Sequence, residues 1–430
     1  MNRLAVIDIG QVRIGMYVHL DLGWLHHPFP VNNFKIISQA QIQTLKELGL
    51  STIQYDPDKS EMASALNGDE ELAAGFLPDP ESLSSSTPLN PQSLHSDAVE
   101  QWHAKVKHMD LQFLQAARGY EQLEQAALQQ PQLARAAGEQ LIANCLAALL
   151  PEQDVVLHVL SDSSANASSA HGVNVTVLSL LLGRAMGLKE LALHELGLAA
   201  LLHDVGKLAL PTQPFVCGMN IGVLDTSKTQ HAHYAKHVGE SVALAQSMGL
   251  SPAVTSAIAQ HHEWADGSGF PLHLLGSDME LAGQILCLVN AYDRLCNPPD
   301  NHVSPTPHEA LASMFTTHQR KFVPAVLAAF VRLMGVYPPG SLVEMTDGRQ
   351  GLVTSVNTAY PLKPRVLIHD IKEAATLTLA DLQASPQLGI RRGLGVHQLT
   401  REAVCALLPH RRVSYYFDSA VGVQPEKVLS

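Results

Sequence analysis

The sequence predicts a multidomain α+β protein in which a long all-helical domain stands between a small N-terminal α/β module and a small β-rich C-terminal region. Three observations carry this. The first sixty residues hold short runs with strand-like alternation. From His171 to about residue 335, apolar residues recur at helical spacing with almost no strand signal. After Gly335 the pattern turns to short β-like runs punctuated by tight-turn residues.

The N-terminal module, residues 1–77, is marked by the runs Leu4–Ile7 and Met16–Leu20 and by a helix-like stretch, Ala40 to Leu48, that ends at Gly49. Residues 78–97, rich in proline and serine, read as a flexible linker. Residues 98–160 turn to Ala, Leu, Gln and Glu at helical spacing, broken at Pro131 and Pro151, and predict connector helices. Their simplest role is to pack on the domain that follows; carrying a signal or dimerising is the alternative. Residues 161–335 form the helical domain, its late helix opening at Thr306-Pro307-His308-Glu309, where a cap, a first-turn proline and a glutamate fit a helix start. Residues 336–430 are the β-rich region, with a hairpin from Leu342 to Val356 turning at Asp347-Gly348 and a further strand at Arg365–His369.

At 430 residues with 46% hydrophobic content, the chain suggests two to four packed domains rather than disorder. A formal charge of −12, from 28 Lys+Arg against 40 Asp+Glu, argues against wrapping long nucleic acid, because that affinity comes from basic side chains neutralising phosphates. A small anionic ligand stays compatible with one locally positive pocket. Five scattered cysteines without a Cys-x-x-Cys pair indicate neither a disulfide framework nor a zinc ribbon, and fit a reducing cytoplasm. No run approaches the ~18 uninterrupted apolar residues of a membrane span, and the N-terminus lacks a secretion signal's apolar core.

Chemistry concentrates in six potential metal ligands: His171, His203-Asp204, His237 and His261-His262. Imidazole and carboxylate together suit divalent transition metals, and an adjacent His-Asp lets the carboxylate bridge two ions. His203 and Asp204 follow the apolar run Leu198–Leu202, so they emerge at the end of a buried helix, where coordination offsets the burial of two polar groups. Lys207 lies close enough to face the same cavity and neutralise a phosphate oxygen. His171 opens its helix some thirty residues earlier, within reach through one helical hairpin. His231 and His233, near His237, read as surface residues. After His262 comes Glu263-Trp264-Ala265-Asp266-Gly267-Ser268-Gly269-Phe270-Pro271, whose glycines admit close backbone approach and whose Phe270 and Pro271 offer a rigid apolar wall. No Walker-type phosphate loop, Gly-x-Ser-x-Gly or dinucleotide fingerprint competes with this reading.

These motifs resemble those of the HD-GYP family of metal-dependent phosphodiesterases, and the segment around Gly15-Met16-Tyr17-Val18 is similar to an N-terminal domain of unknown function often found ahead of HD-GYP domains. The resemblance implies an HD-type helical catalytic domain that hydrolyses cyclic di-GMP to a linear dinucleotide or GMP. It implies two divalent ions, iron or manganese, bridged by Asp204, with His171, His203 and Asn290 completing one site and His237, His261 and His262 the other. Asp204 and Lys207 would be catalytic, and Lys207, Asp266, Gly267, Gly269, Phe270 and Pro271 would bind substrate. A homodimer or a signalling partner fits the connector helices.

The chain departs from the family pattern at four places. Ala167 replaces a glutamate that would complete a third metal site, which favours a binuclear centre. Phe270 stands where tyrosine is usual, and Asn290 where an aspartate is usual, ahead of a matching Asp293. The segment Asn297–His302 lacks the basic residues that grip substrate phosphates, with no Lys or Arg between Arg294 and Arg320. The last two departures keep an alternative open: a degenerate domain working as a nucleotide sensor or protein-docking module.

Overall fold

The computed structural model describes residues 4–20, 33–36, 42, 45–46, 52–60, 91–152, 154–160, 165–210, 228–298, 304–370, 377–407 and 412–419. The chain divides into two compact units, residues 1–96 and 97–430. In the first, β1 (Ala5–Asp8), β2 (Tyr17–His19), β3 (Asn33–Lys35) and β4 (Thr52–Asp56) form an antiparallel sheet of order β1-β4-β2-β3. Val18 lies opposite Tyr55 and Phe34, and Val18, Ile36, Leu45 and Ile53 form the buried face. Of the helix expected at 40–48 only Ile42, Leu45 and Lys46 are described, and they are helical. Trp24, Pro28, Phe29 and residues 78–90 of the expected linker lie outside the described residues.

Helix α1 (Pro91–Ala127) begins inside the interval expected to be a linker. Pro91 is its first residue, where a missing N–H is harmless and the fixed φ suits the helix. α2 (Pro131–Leu149) likewise starts on a proline. The remainder of the expected connector is not helical: Val155–Val159 forms strand β5.

The helical domain runs through α3 (Ala167–Ala185), α4 (Glu190–Leu202), a 3-10 turn (Val205–Ala209), α5 (Lys228–Ser247), α6 (Pro252–Gln260), α7 (Leu281–Cys296), α8 (Pro307–Thr316) and α9 (Pro324–Met334). Every residue from Ser169 to Gly183 is buried, so α3 is the central helix, packed on α4 and α7. It starts earlier than its sequence suggests, because Asn166 caps it by accepting from the Ser169 N–H at 2.9 Å; His171 therefore sits one turn inside, not at the start. α8 carries the expected cap, with Thr306 and Glu309 forming a reciprocal box.

The C-terminal strands are β6 (Leu342–Met345), β7 (Gln350–Asn357), β8 (Arg365–His369), β9 (Leu377–Asp381), β10 (Ile390–Leu394) and β11 (Tyr415–Ser419), with a short helix α10 (Arg401–Leu407) before β11. The β6–β7 turn is the Asp347-Gly348 turn, with Gly348 at φ 87°. The region is not a self-contained appendage. Its seven-stranded sheet has the path β10-β6-β7-β5-β11, with β8 and β9 added beside β7, so β5, from ahead of the helical domain, lies between β7 and β11. β11 runs antiparallel to β5, Tyr415 opposite Val159 and Phe417 opposite Leu157. Asp418 on β11 binds Lys105 of α1 at 2.5 Å and His158 of β5 at 2.9 Å. This pairing brings the chain end back to the start of the helical domain.

Candidate metal centre

The six potential ligands sit at helix ends or within helices that the core fixes. Leu193, Leu196 and every residue from Leu198 to Leu202 of α4 are buried, and the helix ends at His203, leaving Asp204 on the turn that follows. That turn presses on α5: a Cβ at Gly206 would lie 2.2 Å from the Ser241 nitrogen and 2.3 Å from the His237 carbonyl oxygen. The Gly206 N–H also donates to Ser241 Oγ at 2.8 Å. Gly206 thus sets the distance between Asp204 and His237. His261 ends α6 with His262 next to it, and α3 and α7 bring His171 beside Asp293.

Two ligand sets share Asp204: His171, His203 and Asp204 form one; Asp204, His237, His261 and His262 the other. Asp204 Oδ2 lies 3.6 Å from His171 Nε2 and 3.4 Å from His203 Nε2. Oδ1 lies 3.4 Å from His237 Nε2 and 3.8 Å from His261 Nε2. The tautomers explain why these atoms converge. His203, His237 and His261 each turn Nδ1 to a backbone carbonyl, at 2.7, 2.5 and 2.6 Å, and an Nδ1 that donates leaves Nε2 of a neutral ring as a bare lone pair. His171 commits Nδ1 to Asp293 Oδ2 at 2.6 Å, with the same result. Yet the Nε2 atoms of His171 and His203 face each other at 3.1 Å, and those of His237 and His261 at 3.2 Å. Lone pairs so placed repel, and Asp204 Oδ1 beside them is buried with no hydrogen-bond donor. A cation in each set turns both repulsions into coordination, so the donor chemistry fits metal. Two positive groups also contact the carboxylate: Lys207 Nζ and Arg294 Nη2 donate to Oδ2 at 2.5 and 2.6 Å.

Charge follows the same logic. Burial opposes the charge on Asp204, yet Lys207, His203 and Arg294 hold its carboxyl well below the usual range. Burial, helped by Arg294, pushes His171 down to about 4. Burial also takes His237 to about 4, against the attraction of Asp204, and lowers His261 and His262 well below their ordinary value. His171, His237, His261 and His262 are therefore neutral rings at neutral pH, the form in which imidazole coordinates metal.

The loop after His262 divides its labour. Phe270 is nearly buried, with its ring stacked on His262 at 4.7 Å and edge-on to Tyr234 at 6.3 Å, so one face braces a ligand instead of lying open. Gly269 is required by the fold: a Cβ there would lie 2.2 Å from the Trp264 nitrogen. Asp266 Oδ1 accepts from the Ser268 N–H and hydroxyl, shaping its own turn, with Gly267 at φ 77°. Pro271 is exposed. The buried Glu263 accepts from the N–H groups of Leu272 and Leu274 at 2.5 and 2.9 Å, clamping the loop. Asn290 is buried on α7 with an Oδ1 that has no hydrogen-bond partner, which is an uncompensated polar atom of the kind a cation satisfies. His233 is exposed, and the His231 side chain lies outside the described residues.

Sequence reasoning passed over four contributors. Asp293 orients His171; Asn174 Nδ2 donates to Asp293 Oδ1 at 2.8 Å; Arg294 reaches Asp204; and the Tyr234 carbonyl holds His237. Arg294, one position beyond Asp293, was visible as the last cation before a long basic-free stretch. Asp293 was matched to the family's aspartate without a role, and Asn174 and Tyr234 act through amide or backbone groups that leave no motif. A cavity of about 210 Å³ opens beside His171 and Asp204, lined in part by Asn174, Lys207, Asp293 and Arg294.

Comparison with known proteins agrees with this geometry. Residues 154–326 match the HD domain family, and residues 4–137 match a domain of unknown function, DUF3391. A cyclic di-GMP phosphodiesterase of Pseudomonas aeruginosa is 27% identical over 368 residues, covering 85% of each chain. A cyclic di-GMP phosphodiesterase of Borreliella burgdorferi is 24% identical over 47% of this chain and 52% of its own. A cyclic di-GMP phosphodiesterase response regulator of Xanthomonas campestris is 29% identical over 35% of this chain and 39% of its own. The chain therefore spans most of the first relative and about half or less of the other two. The chain thus joins an HD domain, which supplies the His-Asp cluster, to a DUF3391 domain ahead of it, and over most of its length it is similar to a cyclic di-GMP phosphodiesterase.

Proposed function

We propose that this protein is a metal-dependent phosphodiesterase that hydrolyses cyclic di-GMP to the linear dinucleotide or GMP, using two divalent ions, iron or manganese. The observation that carries the reading is the pair of facing Nε2 lone pairs, His171 with His203 and His237 with His261, on opposite oxygens of Asp204. The relatives named as cyclic di-GMP phosphodiesterases supply the substrate. In this reading His171, His203 and Asp204 would hold one ion, and Asp204, His237, His261 and His262 the other. Asn290, with its unpaired buried oxygen, joins the first set as a neutral ligand.

Two ions held there would supply the Lewis acidity that polarises a phosphodiester and acidifies the attacking water. The chain does the rest. Asp293 fixes the His171 ring through Nδ1, and Phe270 fixes that of His262 by stacking. Lys207, 30% exposed and now on Asp204, is placed to transfer its N–H donation to a phosphoryl oxygen as charge builds there. Within the loop Asp266, Gly267 and Pro271 reach the surface that a base would meet, while Gly269 and Phe270 hold its shape.

The test is turnover of cyclic di-GMP by protein purified without oxygen and loaded with iron(II) or manganese, with Asp204→Ala as control. Hydrolysis lost in the control supports the enzyme. Stoichiometric metal without cleavage of cyclic di-GMP contradicts the substrate. The neutral Asn290 favours one second reading, a degenerate nucleotide sensor, which predicts cyclic di-GMP binding without product.

A further inference from the structure

The sequence leaves the site short of cations after Arg294, where a phosphate-gripping segment was expected. The cavity beside Asp204 shows a different source. Its lining includes Arg412, Val413 and Ser414, which immediately precede β11, together with Lys207 and Arg294. Arg412 is exposed, lies more than a hundred residues beyond Arg294 in sequence, and is brought to the cavity by the pairing of β11 with β5.

The segment is held there by name. Asn297 reads the Val413 backbone twice: its Oδ1 accepts from the Val413 N–H and its Nδ2 donates to the Val413 carbonyl, both at 2.8 Å. Asn174 donates to the same carbonyl at 3.0 Å and accepts from the Tyr415 N–H at 2.9 Å. Both amides also donate to Asp293 Oδ1, at 2.8 Å from Asn174 and 3.0 Å from Asn297. The Leu160 N–H donates to the Ser414 carbonyl, and the Tyr292 and Tyr415 hydroxyls meet at 2.9 Å. Thus the carboxylate that orients His171 also anchors the backbone beside Arg412. Two amide side chains, one on a metal-site helix and one capping another, divide their hydrogen bonds between Asp293 and one three-residue stretch. A generic surface loop has no need of such an arrangement, whereas a residue that must meet a ligand at a fixed distance does.

We propose that Arg412 is a substrate-phosphate contact of this site, delivered by the C-terminal sheet in place of the missing basic segment, with Asn297 and Asn174 as its positioning residues. The inference rests on the phosphodiester reading above and deepens it. A guanidinium here, with Lys207 and Arg294 also lining the cavity, gives three cations against Asp204 and Asp293 and suits a ligand with two phosphates.

The experiment uses the full chain loaded with manganese, with inorganic phosphate as a binding probe and cyclic di-GMP as substrate. Arg412→Ala, Arg412→Lys and Arg391→Ala are compared, the last removing an exposed arginine paired with Glu344 on the sheet. Arg412→Ala is expected to weaken phosphate binding and raise KM about tenfold, with kcat within about threefold and manganese content unchanged. Arg412→Lys recovers part of the loss, and Arg391→Ala matches wild type. Equal phosphate affinity in wild type and Arg412→Ala overturns the proposal, as does an equal loss in Arg391→Ala, or a wild type that binds no phosphate. If wild type binds phosphate through Arg412 yet does not cleave cyclic di-GMP, the substrate reading fails and the Arg412 assignment stands.

Discussion

Asp293 accepts the Nδ1 proton of His171 at 2.6 Å, and this one contact decides which nitrogen of His171 faces Asp204. Removing the charge from Asp293 weakens both the orientation and the basicity of the ring. Asp293→Asn is therefore expected to lower metal affinity by about tenfold to a hundredfold while the helical domain stays folded, read by chelator competition alongside far-UV circular dichroism. Unchanged affinity would remove Asp293 from the account.

Gly206 and Gly239 make a contrasting pair on the two sides of the α5 contact. A Cβ at Gly206 meets backbone atoms of Ser241 and His237, which cannot move aside, whereas one at Gly239 meets nothing within 4 Å. Gly206→Ala is expected to cost about 3 kcal/mol or more and to lose metal, because Asp204 and His237 are forced apart. Gly239→Ala, on an exposed helix position, is expected to be neutral or to stabilise by up to about 1 kcal/mol. Thermal unfolding and metal content of both variants check the contrast.

The two adjacent pairs of the cluster were legible in the sequence because each is punctuated locally: His203-Asp204 by the end of an apolar helix, His261-His262 by the glycine-rich loop after it. The helices themselves were legible from their 3.6-residue periodicity. Two kinds of feature were not. β5 was read as part of a helical connector, since Val155–Val159 gains its strand identity from Tyr415–Ser419, some 260 residues away. The same distance hid Arg412, and with it the answer to the missing basic segment. The start of α3 was misplaced because Asn166, a cap, sat in a Ser/Asn/Ala-rich stretch read as loop.

Asn290 carries a buried oxygen without a partner. If that oxygen is a neutral ligand, Asn290→Asp adds a charge where one is expected to help, and metal affinity should rise by about tenfold. Manganese titration of the two proteins measures it. A fall in affinity would place Asn290 outside the ligand set.

The pH dependence of the metal-free chain follows from His171 and His237, both lowered to about 4 by burial. In the unfolded chain they protonate near 6.5, so between about 6.5 and 4 the unfolded state binds more protons and stability falls as pH falls. Each contributes up to about 1.4 kcal/mol per pH unit within that window. Denaturation midpoints of the metal-free protein from pH 7 to pH 4 should decline; a flat profile would mean that the rings are solvated and not packed as described.

The central claim is that one carboxylate, Asp204, serves two ions. Its most direct test is the metal content of wild type and Asp204→Ala, by elemental analysis after loading with manganese and removal of excess. The account predicts two ions per wild-type chain and loss of both in the variant. A single ion in wild type, or two ions surviving in Asp204→Ala, would contradict it.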